Sequence, residues 1–181
     1  LRVRRHLVPE MPLRASSLRT LGAFTNVLAI ESCMDQLAIM TAADPIDFRI
    51  KNLQDRRAIY VLETLREVSN WRRHTEGQGR GIGFARYKNS AAYCAVAFFV
   101  RVNKVTGEIT LDKAVSVTDA GRIINPDGVK NQIEANIEVQ QNDYIDNKNI
   151  SMKSLSKKKM SFADNNEMKK GYYILDANES I

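Results

Sequence analysis

Two short stretches of this chain carry side chains that could cradle an anion or a flat heterocycle. Ser16-Ser17-Leu18-Arg19-Thr20-Leu21-Gly22 sets hydroxyls, a guanidinium and a glycine at the end of an extended segment, just ahead of a helix. Such a place offers backbone N–H donors and the positive end of a helix to a phosphate or a polar ring. Asn131-Gln132, on a later helix, brings neutral amides that donate and accept, and so can fix a heterocycle without adding charge. A plainer reading stands beside this one, with Ser16 and Ser17 as loop residues and Gln132 as a surface amide.

Other chemistry-bearing residues are less well placed. Gly79, Gly81 and Gly83 in GQGRGIGFAR hint at a nucleotide loop. A dinucleotide fingerprint, however, puts its glycines between a strand and the following helix, and these lead into a strand. They are expected to permit tight turns and close packing instead. Asp119, Asp127 and Glu134 could be imagined as an acid/base pair or as metal ligands. Asp127 reads better as a helix cap and Asp119 as a turn former beside Gly121. Cys33 and Cys94 have no Cys or His at ligand spacing, which argues against a zinc site or a disulfide framework. His6 and His74 lie beside arginines in polar stretches, as solvated surface histidines do. The residues alone therefore name no activity.

Elements that could position these groups follow from periodicity. Pro9 and Pro12 break any helix in residues 1–25, which read as strand and loop. With Asn26 as N-cap, Val27, Ile30, Met34, Leu37 and Ala38 recur at three- and four-residue spacing and predict one buried helical face. Asp44-Pro45 starts a second helix, and a third spans about Ala58 to Val68 with Ile59, Leu62, Leu65 and Val68 inward and Trp71 closing it. The period then shifts to two, predicting strands at Gly81–Tyr87, Tyr93–Val102 and Glu108–Val117, the last two joined by a turn at Lys104-Val105-Thr106-Gly107. Ala95 to Val100 is continuously apolar and predicts a strand buried on both faces. A turn-rich loop follows, and a helix near Asp127 carries Val129, Ile133 and Ile137. The fold class is α+β, helices followed by a mostly antiparallel sheet.

Composition sets the outer limits. The chain has 181 residues, 44% of them hydrophobic, enough for one packed domain or part of a larger one. Its net charge of +6 comes largely from arginines in the first twenty residues and lysines in the last thirty. No basic stripe with interleaved aromatics runs through the middle, which argues against a nucleic-acid-binding module. There is no apolar run long enough to span a bilayer, and no signal-peptide pattern or initiator Met at Leu1, so the natural start is expected upstream. Seven Lys and six Asn fall in residues 141–181, without amphipathic period, so the expected division is a domain over 1–140 and a low-complexity, weakly structured or disordered tail over 141–181.

The stretches SSLRTLGAFTNVLAIESCMDQLA, ADPIDFRIKNLQD, GRGIGFARYKNSAAYCAVAFFVRV and DAGRIINPDGVKNQIE, in that order, resemble the large subunit of the molybdenum hydroxylases, the xanthine dehydrogenase/aldehyde oxidase family. Within it, the chain is most similar to the bacterial branch of isoquinoline, nicotinate and aldehyde oxidoreductases, over roughly Leu1 to Gln140. The resemblance implies a molybdenum ion held by the dithiolene of a molybdopterin, often its cytosine dinucleotide form. It further implies hydroxylation of an N-heterocycle or aldehyde with oxygen from water, a glutamate acting as base, and electrons leaving through two-iron-two-sulfur clusters on a partner iron–sulfur subunit or domain. Carried over by position, Arg19 matches the arginine of a turn near the molybdenum centre, with Gly22 in the same turn. Gln132 matches a glutamine that contacts the pterin. Leu21 falls at a substrate-pocket position that is aromatic in xanthine-type members, so a purine would lose its stacking partner here.

Departures from the family pattern matter as well. After Glu134 the chain reads Ala135-Asn136-Ile137-Glu138-Val139-Gln140, without the family's two small residues followed by a Gln-Gly step. The glycine-flanked motif of the catalytic glutamate has no counterpart, and Glu134, Glu138, Glu167 and Glu179 lack its context. The family's earlier cofactor loop is expected to precede Leu1. These features predict a fragment that is inactive alone, with no catalytic residue and no metal ligand of its own. The alternative is a non-enzymatic remnant that binds a partner subunit.

Overall fold

In the computed structural model, the described residues are 20–72, 76–88 and 90–133, together with Arg4, His6, Pro9 and Glu10 near the start and the backbone of two later strands, 156–163 and 170–176. Three helices come first: α1 (Ala23–Met40), α2 (Pro45–Lys51) and α3 (Arg56–Val68). Strands β1 (Gln78–Tyr87), β2 (Ala92–Val102) and β3 (Ile109–Asp119) follow, then a helix α4 over 126–133, then β4 (Ser156–Ala163) and β5 (Lys170–Asp176). They form a five-stranded sheet in the order β1-β2-β3-β5-β4, antiparallel at every pairing. This is the expected α+β arrangement.

The helix starts follow capping chemistry. Asp44 accepts from the backbone N–H groups of Ile46 and Asp47 at 2.9 and 3.2 Å, with Pro45 at the first helical position, where its missing N–H costs nothing. Asp55 does the same for α3 through Arg57 N at 3.0 Å. For α1, the start lies earlier than the sequence expectation of Asn26: Gly22 occupies the N-cap, without a side-chain bond. The predicted buried face of α1 is also rotated. Val27, Glu31, Met34 and Asp35 are half-buried and Ala38 fully so, whereas Ile30 and Leu37 are exposed. The reason is that the main contacts of α1 among the described elements are with α2 and β1, a narrow seam that uses one stripe of the helix and leaves many of its apolar residues outside it.

The core lies between α2 and α3 on one side and one face of the sheet on the other. Val61, Leu62 and Leu65 from α3 and Ile46 from α2 pack on Tyr93, Ala95, Ala97 and Phe99 of β2 and on Val115 and Val117 of β3. Burial along β2 alternates strictly, so its continuous apolar run is fully buried on the helix-facing side and half-buried on the other. The expectation of burial on both faces is corrected accordingly: within the described residues, α4 alone lies over the second face. Its seat there depends on a shift of register between Phe99 and Val100. Lys113 pairs with Phe99 and Leu111 with Val100, which leaves Asp112 unopposed and turns Leu111 to the side of Ala114 and Phe98, where Ile133 of α4 packs. The β2–β3 turn is the one expected, closed by Asn103 and by Gly107 at φ 72°.

Within the region expected to be weakly structured, 156–163 and 170–176 form a hairpin whose second strand pairs with β3. Segment Gly171-Tyr172-Tyr173-Ile174-Leu175 has the aromatic and β-branched make-up of a strand, and the open edge of β3 offers it a row of unpaired N–H and C=O groups. Residues 134–155, 164–169 and 177–181 lie outside the described residues.

Asn125 caps α4. Its Oδ1 accepts from Gly128 N at 3.0 Å, which corrects the sequence assignment of the cap to Asp127, a residue inside the helix. Asn125→Ala is expected to destabilise by about 1 kcal/mol, read as a lower urea midpoint with an unchanged m-value, while Asp127→Ala should shift the midpoint by less than half as much.

Candidate functional site

Thr20 and Leu21 stand ahead of α1 at φ 69° and 52°, two successive non-glycine residues in the left-handed region. Each such residue costs about 1–2 kcal/mol, and strain of this kind gathers at ligand-binding turns. The turn is closed by Ala23 N donating to the Thr20 carbonyl at 3.0 Å, and Leu21 stands 75% exposed at its tip. Behind it, the 18-residue α1 begins with no side-chain cap hydrogen bond at Gly22 and no acidic residue in its first turn, so no carboxylate of that turn offsets its positive end. Arg19 lies outside the described residues.

Gln132 lies on α4, exposed, next to Ile133, which anchors that helix on Phe98, Leu111 and Ala114. The Gly22 turn and Gln132 therefore belong to different parts of the sheet. α1 runs beside the β1 edge, where Glu31 Oε2 accepts from Phe84 N at 2.6 Å, whereas α4 covers the β2–β3 side of the face turned away from α3. These contacts fix each candidate wall separately and do not themselves join one to the other. The glycines of β1 divide: a Cβ on Gly79 would meet Val100 Cγ2 at 3.3 Å, so close packing holds there, while Gly81 and Gly83 face open space.

Sequence reasoning missed a polar network at the opposite end of β3. Asp119, 0% exposed, receives both Nε and Nη2 of Arg57, at 3.0 and 2.9 Å, and Gly121 N at 2.9 Å. Arg57 Nη1 also donates to the Ser90 carbonyl at 2.6 Å, and its guanidinium lies 4.5 Å from the centre of the Tyr93 ring. The Tyr93 hydroxyl in turn donates to Asp55 Oδ2 at 2.7 Å. Asp119 is thus the turn former expected from sequence, but its burial and its arginine had no local signal, since 62 positions separate the partners.

That network carries a pH signature. The Tyr93 hydroxyl, aided by the Arg57 and Ala58 amides and by Arg86, holds the Asp55 carboxyl below the usual carboxylate range against the opposing effect of burial. A carboxylate more acidic in the folded state than in the unfolded one stabilises above its unfolded pKa of about 3.9, and that stability is lost as pH falls through the folded value. Tyr93→Phe should therefore flatten the fall in urea midpoint on the acid side of pH 4 relative to the unsubstituted chain, with Asp55→Asn, which keeps a capping oxygen, as its matched control.

Among the described residues no group of three His, Cys, Asp or Glu side chains could hold a metal ion, and no helix is long and apolar enough to cross a membrane. Comparison with known proteins finds a match of residues 20–137 to the molybdopterin cofactor-binding domain family. The chain belongs to this family. The match begins at the strained Thr20–Leu21 turn and takes in all of the described part of α4, so it spans both candidate walls. The chain is 38% identical over 141 residues to a nicotinate dehydrogenase subunit of Pseudomonas putida, covering 69% of this chain and 12% of the relative. It is 31% identical over 134 residues to the beta subunit of isoquinoline 1-oxidoreductase from Brevundimonas diminuta, covering 72% and 17%. It is 24% identical over 152 residues to a membrane-bound aldehyde dehydrogenase (pyrroloquinoline-quinone) of Gluconacetobacter polyoxogenes, covering 74% and 20%. The chain thus spans between an eighth and a fifth of the length of these curated relatives.

The residues present suit such a cofactor. An anionic phosphate and a polar pterin ask for N–H donors, positive potential and neutral amides. The uncapped α1 start with its strained turn supplies the first two, and the exposed amide face of α4 the third.

Proposed function

We propose that this chain supplies part of the cofactor wall of a molybdenum-dependent oxidoreductase that hydroxylates an N-heterocycle or an aldehyde with oxygen from water. The observation that carries this reading is the family match over residues 20–137, which contains the strained start of α1 and the α4 amides. The names of the relatives, nicotinate dehydrogenase and isoquinoline oxidoreductase, support an N-heterocyclic substrate. When bound, molybdopterin, as such or as its cytosine dinucleotide, would supply the redox chemistry, with two-iron-two-sulfur clusters on a partner subunit as the electron acceptors that this reading calls for.

The work of this chain's own residues is binding and orientation. Arg19 and the backbone of the Leu21–Gly22 turn hold the anionic part of the cofactor by charge-assisted hydrogen bonds. The Gln132 amide orients the pterin through paired donor and acceptor bonds. Leu21, apolar and exposed at the turn tip, lines the substrate side and offers contact area without ring stacking. With no residue of the chain assigned as the catalytic base, the reading gives the isolated chain no turnover.

A chimera tests this directly. Residues 20–137 would replace the matching segment of the Pseudomonas putida nicotinate dehydrogenase, and molybdenum and pterin would be measured in the purified complex. Retention of both, with Gln132→Ala lowering pterin content at least threefold, is the expected result. Full pterin retention in the Gln132→Ala chimera would overturn the role of α4, and stoichiometric molybdenum with turnover in the isolated chain would overturn the assignment of a partial wall.

A second reading rests on the exposed apolar side chains of α1. Phe24, Leu28, Ile30, Ile39 and Met40 are exposed at positions spread around the helix, and apolar surface of this kind can mark a protein interface. On this reading the chain docks on a partner, such as the iron–sulfur subunit, without taking part in catalysis. Co-purification that Leu28→Lys abolishes, in a chimera free of molybdenum, would favour it over the first.

A further inference from the structure

The geometry points to Arg57 as a positioning residue for the α4 wall, acting through Asp119 on the turn that leads into α4. This rests on the reading of α4 as a cofactor wall and extends it to a residue far from that helix. The connection between β3 and α4 is only 120–125, and it is pinned at both ends. At its start Asp119 Oδ1 holds Gly121 N at 2.9 Å, with Gly121 at φ 70°, where a side chain would be strained. At its end Asn125 Oδ1 holds Gly128 N at 3.0 Å. Between these pins Ile124 stands 91% exposed, whereas Ile123 is half-buried. The polar pins thus fix the two ends of the turn, with Ile123 adding packing between them, and the turn and the seat of Ile133 together direct α4.

The first pin depends on Arg57. Asp119 is fully buried, and a buried carboxylate without a cation must take a proton or move to water. The arginine fork engages both oxygens, one of which also serves Gly121, while its third nitrogen reaches the Ser90 carbonyl and its flat face rests on Tyr93. Lysine offers a single point charge and cannot make these contacts at once. Arg57 therefore does more than pair a charge: it orients the Asp119 carboxylate so that Gly121 stays bound. Arg57 borders the hydrophobic core through its contact with Tyr93, while the apolar contacts of α3 within that core come from Ala58, Val61, Leu62 and Leu65.

Amide hydrogen exchange on the full 181-residue chain tests the inference. In Arg57→Lys and Arg57→Gln, exchange at the amides of 120–125 and α4 is expected to speed up at least tenfold, with less than a threefold change in α1 and α2. Restoring a neutral pair in Arg57→Gln/Asp119→Asn should bring the turn back to within threefold of the unsubstituted chain, because an asparagine oxygen can still accept from Gly121. Uniform acceleration in every element would make Arg57 a general stability residue and overturn the inference, as would an unmoved turn or failure of the double variant to rescue it. If the turn loosens and is rescued while the Gln132→Ala chimera keeps its pterin, the cofactor reading fails and the mechanical coupling stands.

Discussion

Arg49→Ala is expected to destabilise the chain by about 3–5 kcal/mol, a large share of the roughly 5–15 kcal/mol of a folded domain. Arg49 is buried, yet every nitrogen of its guanidinium is engaged. Nε donates to Glu31 Oε2 at 3.0 Å, Nη1 to the Pro45 carbonyl at 3.0 Å and Nη2 to the Glu31 carbonyl at 3.3 Å, and Nη2 also pairs with Asp35 Oδ1 at 2.8 Å. Because the same Glu31 oxygen accepts from Phe84 N, one guanidinium ties α1, α2 and the exposed edge of β1 together. Removing it strands the Glu31 carboxylate, 13% exposed, beside the β1 edge. The loss should appear as a midpoint shift in urea that begins with release of α1, seen as exchange of α1 amides ahead of the sheet. Neutralising the whole group, in Arg49→Met/Glu31→Gln/Asp35→Asn, should recover at least half of the loss, since Gln keeps an oxygen for Phe84. If the triple variant is no more stable than Arg49→Ala, the buried-charge account is wrong.

Local chemistry made much of this fold legible in advance. Asp44-Pro45 announced α2 because cap and first turn are adjacent in sequence, and the two-residue period announced β1 to β3 because side chains alternate across a sheet. Local signals failed where distant partners decide. Only the placement of α1 against the β1 edge explains why Ile30 is exposed and Glu31 sheltered, and no periodicity in α1 itself encodes that. Register is another case: Leu111 faces α4 because the register shifts opposite Phe99 and Val100, an event set by pairing and not by the residue.

The candidate site divides in the same way. The turn before α1 and the amides of α4 were visible as residue types that suit an anion and a heterocycle, and the family match encloses both. Arg57 was invisible because its partner Asp119 lies 62 residues away and its own surroundings read as an ordinary helix start. A residue that holds another in place leaves no motif, since its chemistry is complete only after folding. Gly121 gave the nearest hint: a glycine just past a strand-ending aspartate marks a turn that something must pin.

Trp71→Ala is expected to cost about 3–5 kcal/mol, close to the Arg49 effect but by a different physical route. Trp71 is among the largest fully buried side chains, standing edge-on to Phe99 with ring centres 6.0 Å apart and carrying the Arg80 guanidinium 4.8 Å from its own ring centre. Its indole Nε1 donates to Asp44 Oδ2 at 2.8 Å, so it joins the end of α3 to the cap of α2. Alanine would leave a cavity against β2 and free Asp44 Oδ2, while Asp44 Oδ1 keeps its two capping bonds. Trp71→Phe separates the two contributions: it fills most of the cavity and loses only the indole donor, so about 1–2 kcal/mol of loss is expected. The chain has one tryptophan, so the unfolding of the Phe variant must be followed by circular dichroism in urea. Equal losses for Ala and Phe would place nearly all of Trp71's contribution in one hydrogen bond and refute the packing account. A Phe variant as stable as the unsubstituted chain would show instead that the indole donor contributes nothing to holding α2 on α3.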